Sequence, residues 1–110
     1  MKLPNPDRAI IDRRKLTDYC LNPNHPDGRH KARVFESALG LNLNDVDVLE
    51  TALLKSISQY DAVEDKQNKY GTKYVIDFVL AHNDKEAVIR SVWIVRNSEN
   101  FPRLVTCYVV

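Results

Sequence analysis

The hydrophobic pattern of this chain changes period once, near residue 60, and that change directs it to a segregated α+β fold. Up to about Ser58, apolar residues recur at the spacing of one helix face; beyond about Tyr60 they alternate, as along a half-buried strand. Helices first and strands afterwards predict about three N-terminal helices packed on a three- to four-stranded antiparallel sheet. The 110 residues are the size of one domain, so a single domain over residues 1–110 is expected.

Local signals set the expected boundaries. Pro4 and Pro6 make Leu3 to Ile11 extended. Asp12 is an N-cap for a first helix to about Leu21, with Leu16, Tyr19 and Cys20 inward. Asn22 to Pro26 form a rigid loop. Asp27 or Gly28 opens a second helix, with Ala32, Phe35, Ala38 and Leu39 on its buried stripe and Gly40 at the left-handed C′ position. Asn44 caps a third helix, whose inner face is Val46, Leu49, Leu53 and Ile57. The polar segment that follows reads as a short edge strand around Tyr60 to Glu64 and then a loop. Tyr70-Gly71 makes a turn. Tyr74, Ile76, Phe78 and Leu80 share a strand face, and a hairpin connection at His82 to Lys85 leads to a central strand at about Ala87 to Val95. RLVTCYVV is the last strand. Helices on one side leave the other sheet face to be explained, and a site belongs there.

Composition excludes more than it nominates. A net charge of +1 gives no global bias toward nucleic acid. The two cysteines, Cys20 and Cys107, form no CxxC, and the three histidines match no metal spacing, so free thiols, no metal and no cofactor are expected. No run approaches the ~18–20 apolar residues of a membrane span, and no signal-peptide core appears, which predicts a cytoplasmic protein.

The densest chemical cluster is Arg29, His30, Lys31 and Arg33, where a loop becomes a helix. Unpaired N–H groups and the positive end of the dipole favour anions there, and cations would add phosphate contacts. Basic side chains oppose that dipole unless an anion compensates them. His30 supplies a group able to exchange a proton near neutral pH. Thr106 and Tyr108 lie two residues apart on the last strand and offer paired hydroxyls. Lys69 to Lys73 form a basic turn with Gly71, but GxxxxGK[ST] is missing. Each cluster also fits an ordinary solvated surface or a half-packed strand.

The strings LPNPDRAIIDRRKLTDYCLNPNHPDGRHKARVFESALG, YGTKY, SVWIV and PRLVTCYV, in that order, resemble a bacterial domain family of unknown function. Its members occur as small stand-alone proteins and as C-terminal domains of polymorphic toxins. The resemblance spans Leu3 to Tyr108. At the level of fold, helices before a four-stranded antiparallel sheet look like the barnase, EndoU, colicin and RelE-like ribonucleases. That likeness implies RNA cleavage without metal, with His30 moving the proton, Lys31, Arg33 and Lys73 on the phosphate, and Thr106 and Tyr108 completing the site. It also implies RNA and a cognate inhibitor or immunity protein as partners. The alternative is a non-catalytic protein-interaction module of a toxin/antitoxin-like system. That reading predicts an apolar patch on the open sheet face, with Val105, Val109 and Val110 as candidates.

Overall fold

The computed structural model describes residues 1–110. Two α-helices, α1 (Arg29–Leu39) and α2 (Val46–Gln59), precede four strands, β1 (Val63–Asn68), β2 (Gly71–His82), β3 (Lys85–Arg96) and β4 (Pro102–Val109). The strands form one antiparallel sheet in the order β1-β2-β3-β4. The α+β class and the four-stranded sheet agree with the sequence. The three N-terminal helices do not: the α-helices occupy the middle of the chain, and the expected first one is only a π turn at Leu16–Cys20.

That turn closes with the Leu21 N–H on the Leu16 carbonyl, and Pro23 then stops propagation. Leu3, Leu16, Cys20 and Leu21 are buried all the same, so tertiary packing holds this region in place of helical length. The N-terminal stretch is likewise not simply extended. Pro6–Arg8 form a 3₁₀ turn, and Ile10 then adds a parallel bridge to β4, accepting from Leu104 N–H at 3.0 Å.

The helix caps show which local rules held. Gly40 takes φ 66°, and the Leu41 N–H reaches back to the Phe35 carbonyl, closing α1 as expected. Asn44 does not cap α2: Asp45 stands at its N-cap without a side-chain cap, and the capped element is the preceding 3₁₀ turn Leu43–Asp45, held by Asn42. The Asn42 side chain accepts from Asn44 N–H at 2.9 Å while Asp45 accepts from Asn42 N–H at 3.0 Å, a reciprocal capping box around that turn.

Both helices lie on one face of the sheet, α1 against β3 and β4 and α2 against β2. Between the layers are Phe35, Leu39, Leu49, Leu53 and Ile57 from the helices and Ile76, Phe78, Ile89, Trp93 and Leu104 from the strands. Two polar side chains are buried, Ser56, which donates to the Leu53 carbonyl at 2.7 Å, and Ser91 at the centre of the sheet. Ser91 donates to the Ile76 carbonyl at 3.0 Å and accepts from Trp93 Nε1 at 2.9 Å, so no hydrogen bond is lost by its burial. A bulge between Val92 and Trp93 shifts the register of β4. The segment expected to be a strand only to Glu64 is paired as far as Asn68, with its own bulge between Glu64 and Gln67. Every residue of β1 is exposed, so its polar composition reflects an edge and not a loop.

Candidate active site

Three elements meet at the outer edge of β4 past its bridge to Ile10: the π turn, the first turn of α1 and β4 itself. Their packing rests on Gly28, where a Cβ would stand 2.3 Å from the Tyr19 carbonyl oxygen. Only glycine permits that approach of the loop to the π turn. The same loop is fastened by His25, whose Nδ1 accepts from the Asp27 and Gly28 N–H groups, both at 2.9 Å. His25 thus performs the capping expected of a short polar side chain, and its ring meets Tyr19 edge-on at 4.9 Å. His82 is also committed, bonded through Nδ1 to the Leu39 carbonyl at 2.9 Å. His30, exposed in the first turn of α1, is the histidine without an intramolecular hydrogen bond.

His30, Lys31, Val34, Tyr108 and Val109 line a cleft of about 230 Å³ between α1 and β4. Lys31 is its centre. The ammonium donates to Tyr19 Oη at 3.0 Å and to Thr106 Oγ1 at 3.3 Å. It also lies 4.6 Å from the Tyr19 ring centre and 5.4 Å from that of Tyr108. No carboxylate is paired with it. A half-buried cation held by hydroxyls and aromatic faces keeps its charge available to an anion. Tyr108 faces outward beside Arg90, whose guanidinium is clamped by Asp77 through two bonds of 2.9 Å. That clamp raises the Arg90 pKa and lowers that of Asp77.

His30, Lys31, Thr106 and Tyr108 therefore come together. Arg29 is exposed at the start of α1 and makes no ion pair. Arg33 lines a different groove, with Leu21, Pro23 and Glu36, because residues two apart on a helix point to different sides. Lys73 lies on β2 and lines a third groove at the β1–β2 turn. No three His, Cys, Asp or Glu side chains converge as a metal site would require.

Two groups of this region were not assigned to a site from the sequence. Tyr19 appeared as a core residue, yet its hydroxyl holds Lys31. Cys20 and Cys107 are both buried and free, and they face each other beneath Thr106. The Cys107 thiol and then its backbone amide donate toward the Cys20 sulfur. Thr106 Oγ1 at 3.7 Å and the Lys31 charge add to this. Together they outweigh burial and lower the Cys20 pKa from 9.0 to about 6, while the same thiol contact and burial push Cys107 up. Only the fold brings these residues together; no sequence spacing announces it.

A thiol depressed on folding stabilises the native state fully above its unfolded pKa and loses that contribution as pH falls through its folded one. Cys20 therefore makes stability rise from about pH 6 to pH 9, and the raised Cys107 opposes any gain above that. Urea melts across this window are expected to show a rising midpoint that flattens in Cys20→Ala. An equal slope in the variant would remove Cys20 as the cause.

Comparison with known proteins adds the lineage. The family described as "Domain of unknown function (DUF6883)" matches residues 2–110. The chain belongs to the DUF6883 family. No curated protein matches this DUF6883 domain. Among solved structures it is similar to a chain of a "Contact-dependent growth inhibition toxin - immunity protein complex from Klebsiella pneumoniae 342". The TM-score is 0.71 at 18% identity, covering 92% of this chain and 99% of that one. At that identity the likeness concerns the fold. Within the DUF6883 chain no helix is long and apolar enough to cross a membrane.

Proposed function

We propose that this DUF6883 domain is a toxin-related, metal-independent endoribonuclease acting in the cleft between α1 and β4. The observation that carries this reading is Lys31, an ammonium without a carboxylate partner, anchored on Tyr19 and Thr106 in the cleft that His30 and Tyr108 also line. In this reading His30 takes the proton of a ribose 2′-hydroxyl, and the 2′ oxygen attacks the adjacent phosphorus. Lys31 neutralises the charge that grows on the non-bridging oxygens. Tyr108 gives a proton to the departing 5′ oxygen, leaving a 2′,3′-cyclic phosphate and a free 5′-hydroxyl. Thr106 and Tyr19 hold the lysine in position. Arg29 is near enough along α1 to meet a neighbouring phosphate. Arg33 and Lys73, on other grooves, have no part in the chemical step.

The fold it shares with a chain of a toxin–immunity complex supports a toxin relationship and, with it, a protein inhibitor as partner. The test is cleavage of single-stranded RNA without added metal by wild type, His30→Ala and Thr106→Ala, together with growth of cells on induction. Cleavage lost in His30→Ala and weakened in Thr106→Ala with folding intact sustains the reading; wild-type protein that is folded and inert overturns it.

A second reading, a non-catalytic interaction module, is favoured by the open sheet face. Val63, Val79, Val88 and Val110 are 70%, 50%, 41% and 64% exposed there. Val110 belongs to this face as that reading requires, whereas Val109 packs against the core. On this reading a Val79→Lys, Val88→Lys protein loses a partner that wild type retains in pull-down, and RNA is untouched by either. Partner capture unchanged by both substitutions removes the face as the contact.

A further inference from the structure

The turn end of the sheet carries a second concentration of charge, well away from α1. Lys69, Lys73 and Arg96, with Tyr70, Ile94 and Val105, line a groove of about 710 Å³ on the sheet face that no helix covers. None of the three cations takes part in an ion pair. The groove is preformed, because the two turns that border it are tied together. Asn97 donates from Nδ2 to the Lys69 carbonyl at 2.8 Å and from its backbone N–H to the Tyr70 carbonyl at 3.0 Å. Asn68 Oδ1 accepts from the Tyr70 N–H at 2.8 Å and the Gly71 N–H at 3.2 Å. This leaves Tyr70 65% exposed, with the Lys69 ammonium 5.2 Å from its ring centre.

We propose that this groove is a binding track for single-stranded RNA, holding phosphates on Lys69, Lys73 and Arg96 and a base on the Tyr70 ring. Unpaired cations beside an exposed aromatic ring on an apolar floor are what an unstacked strand needs. Duplex would offer the phosphates but no free base. The groove and the cleft both border β4, three residues apart along it. Val105 lines the groove, Thr106 next to it holds Lys31, and Tyr108 lines the cleft. From Val105 to Tyr108 is about 10 Å at the usual rise of a strand. A strand with one phosphate at Lys31 thus reaches the groove within a few nucleotides. Lys15 Nζ, 3.5 Å from the Val105 carbonyl, adds a cation at the strand edge between the two. The choice of RNA over DNA rests on the ribonuclease reading; the track itself does not.

The experiment is fluorescence anisotropy of a labelled, fully 2′-O-methylated single-stranded oligonucleotide, which cannot be cleaved through its 2′ position. Wild type, the triple variant Lys69→Gln, Lys73→Gln, Arg96→Gln, and the single variants Lys69→Gln and Lys55→Gln are compared over a salt series. The triple variant is expected to bind about 10- to 100-fold more weakly at low salt, with its log–log salt slope reduced by about 2, since each phosphate contact on a single strand contributes about 0.7. Lys69→Gln, at an exposed position that leaves the fold intact, gives a smaller loss in the same direction, and Lys55→Gln, an exposed cation on α2 outside both the groove and the cleft, binds like wild type. Equal affinity and slope for folded triple variant and wild type overturn the track, as does wild type that fails to bind. Binding that depends on the groove, without cleavage of ordinary RNA, keeps the track and overturns the ribonuclease reading. Cleavage with groove-independent binding does the reverse.

Discussion

His30→Ala is expected to slow RNA cleavage by about 10²- to 10⁴-fold, the usual contribution of a positioned proton-transfer group. The side chain is exposed and makes no hydrogen bond within the protein, so its removal leaves the fold as it was. Lys31→Met is expected to cost about 10²- to 10³-fold, comparable to loss of one electrostatic donor to a developing oxyanion. The two substitutions separate by mechanism. Without His30, added imidazole is expected to restore part of the rate by supplying the missing proton carrier; without Lys31 it restores none. Lys31→Met also unties Tyr19 from Thr106, so its stability is measured beside its rate. Thr106→Ala, which removes the lysine's anchor and a contact of the Cys20 sulfur, gives a smaller loss than either. Unchanged rates for folded His30→Ala and Lys31→Met would move the site elsewhere.

The largest effect on stability is expected at Trp93. It is fully buried, and its indole N–H closes the Ser91 link to the Ile76 carbonyl at the centre of the sheet. Trp93→Ala is expected to cost about 3–5 kcal/mol, from lost transfer energy and the cavity left behind. For a domain whose whole stability is about 5–15 kcal/mol, that is a large fraction. Trp93→Phe keeps most of the packing and leaves Ser91 still bonded to Ile76, so it costs less. Trp93 is the sole tryptophan, and both variants lose the fluorescence probe; far-UV circular dichroism in urea is the measurement. A midpoint close to wild type in Trp93→Ala would show that the core repacks around the gap.

The strands were the most legible part of the chain. Tyr74, Ile76, Phe78 and Leu80 alternate because one sheet face is covered, and β2 presents those residues to the helices. The hairpin at Asn83-Asp84, with φ of 54° and 59°, lies where the sequence put a turn. The helices were less so. Leu16, Tyr19 and Cys20 have helical spacing and Asp12 is a fair cap, yet a short segment ahead of Pro23 gains too few hydrogen bonds to extend into a full helix. The length of β1 is not legible in the sequence, because an exposed edge strand carries no apolar alternation.

The site divides along the same line. His30 and Lys31 were visible as a basic cluster opening a helix, and Thr106 and Tyr108 as hydroxyls on one strand; each signal is local. What the amino-acid order determined by itself was the α+β class, the strand faces, the cap at Gly40 and these residue types at their positions, because period, capping and turn chemistry act between near neighbours. What only the tertiary structure decided was the company they keep. Packing of α1 on β4 set Lys31 against Thr106, drew Tyr19 and the Cys20–Cys107 pair beneath it, turned Arg33 away and placed Lys73 in a groove of its own. Those contacts join residues from both ends of the chain, and their geometry follows from how the buried faces of helix and sheet fit together, which no local rule of sequence specifies.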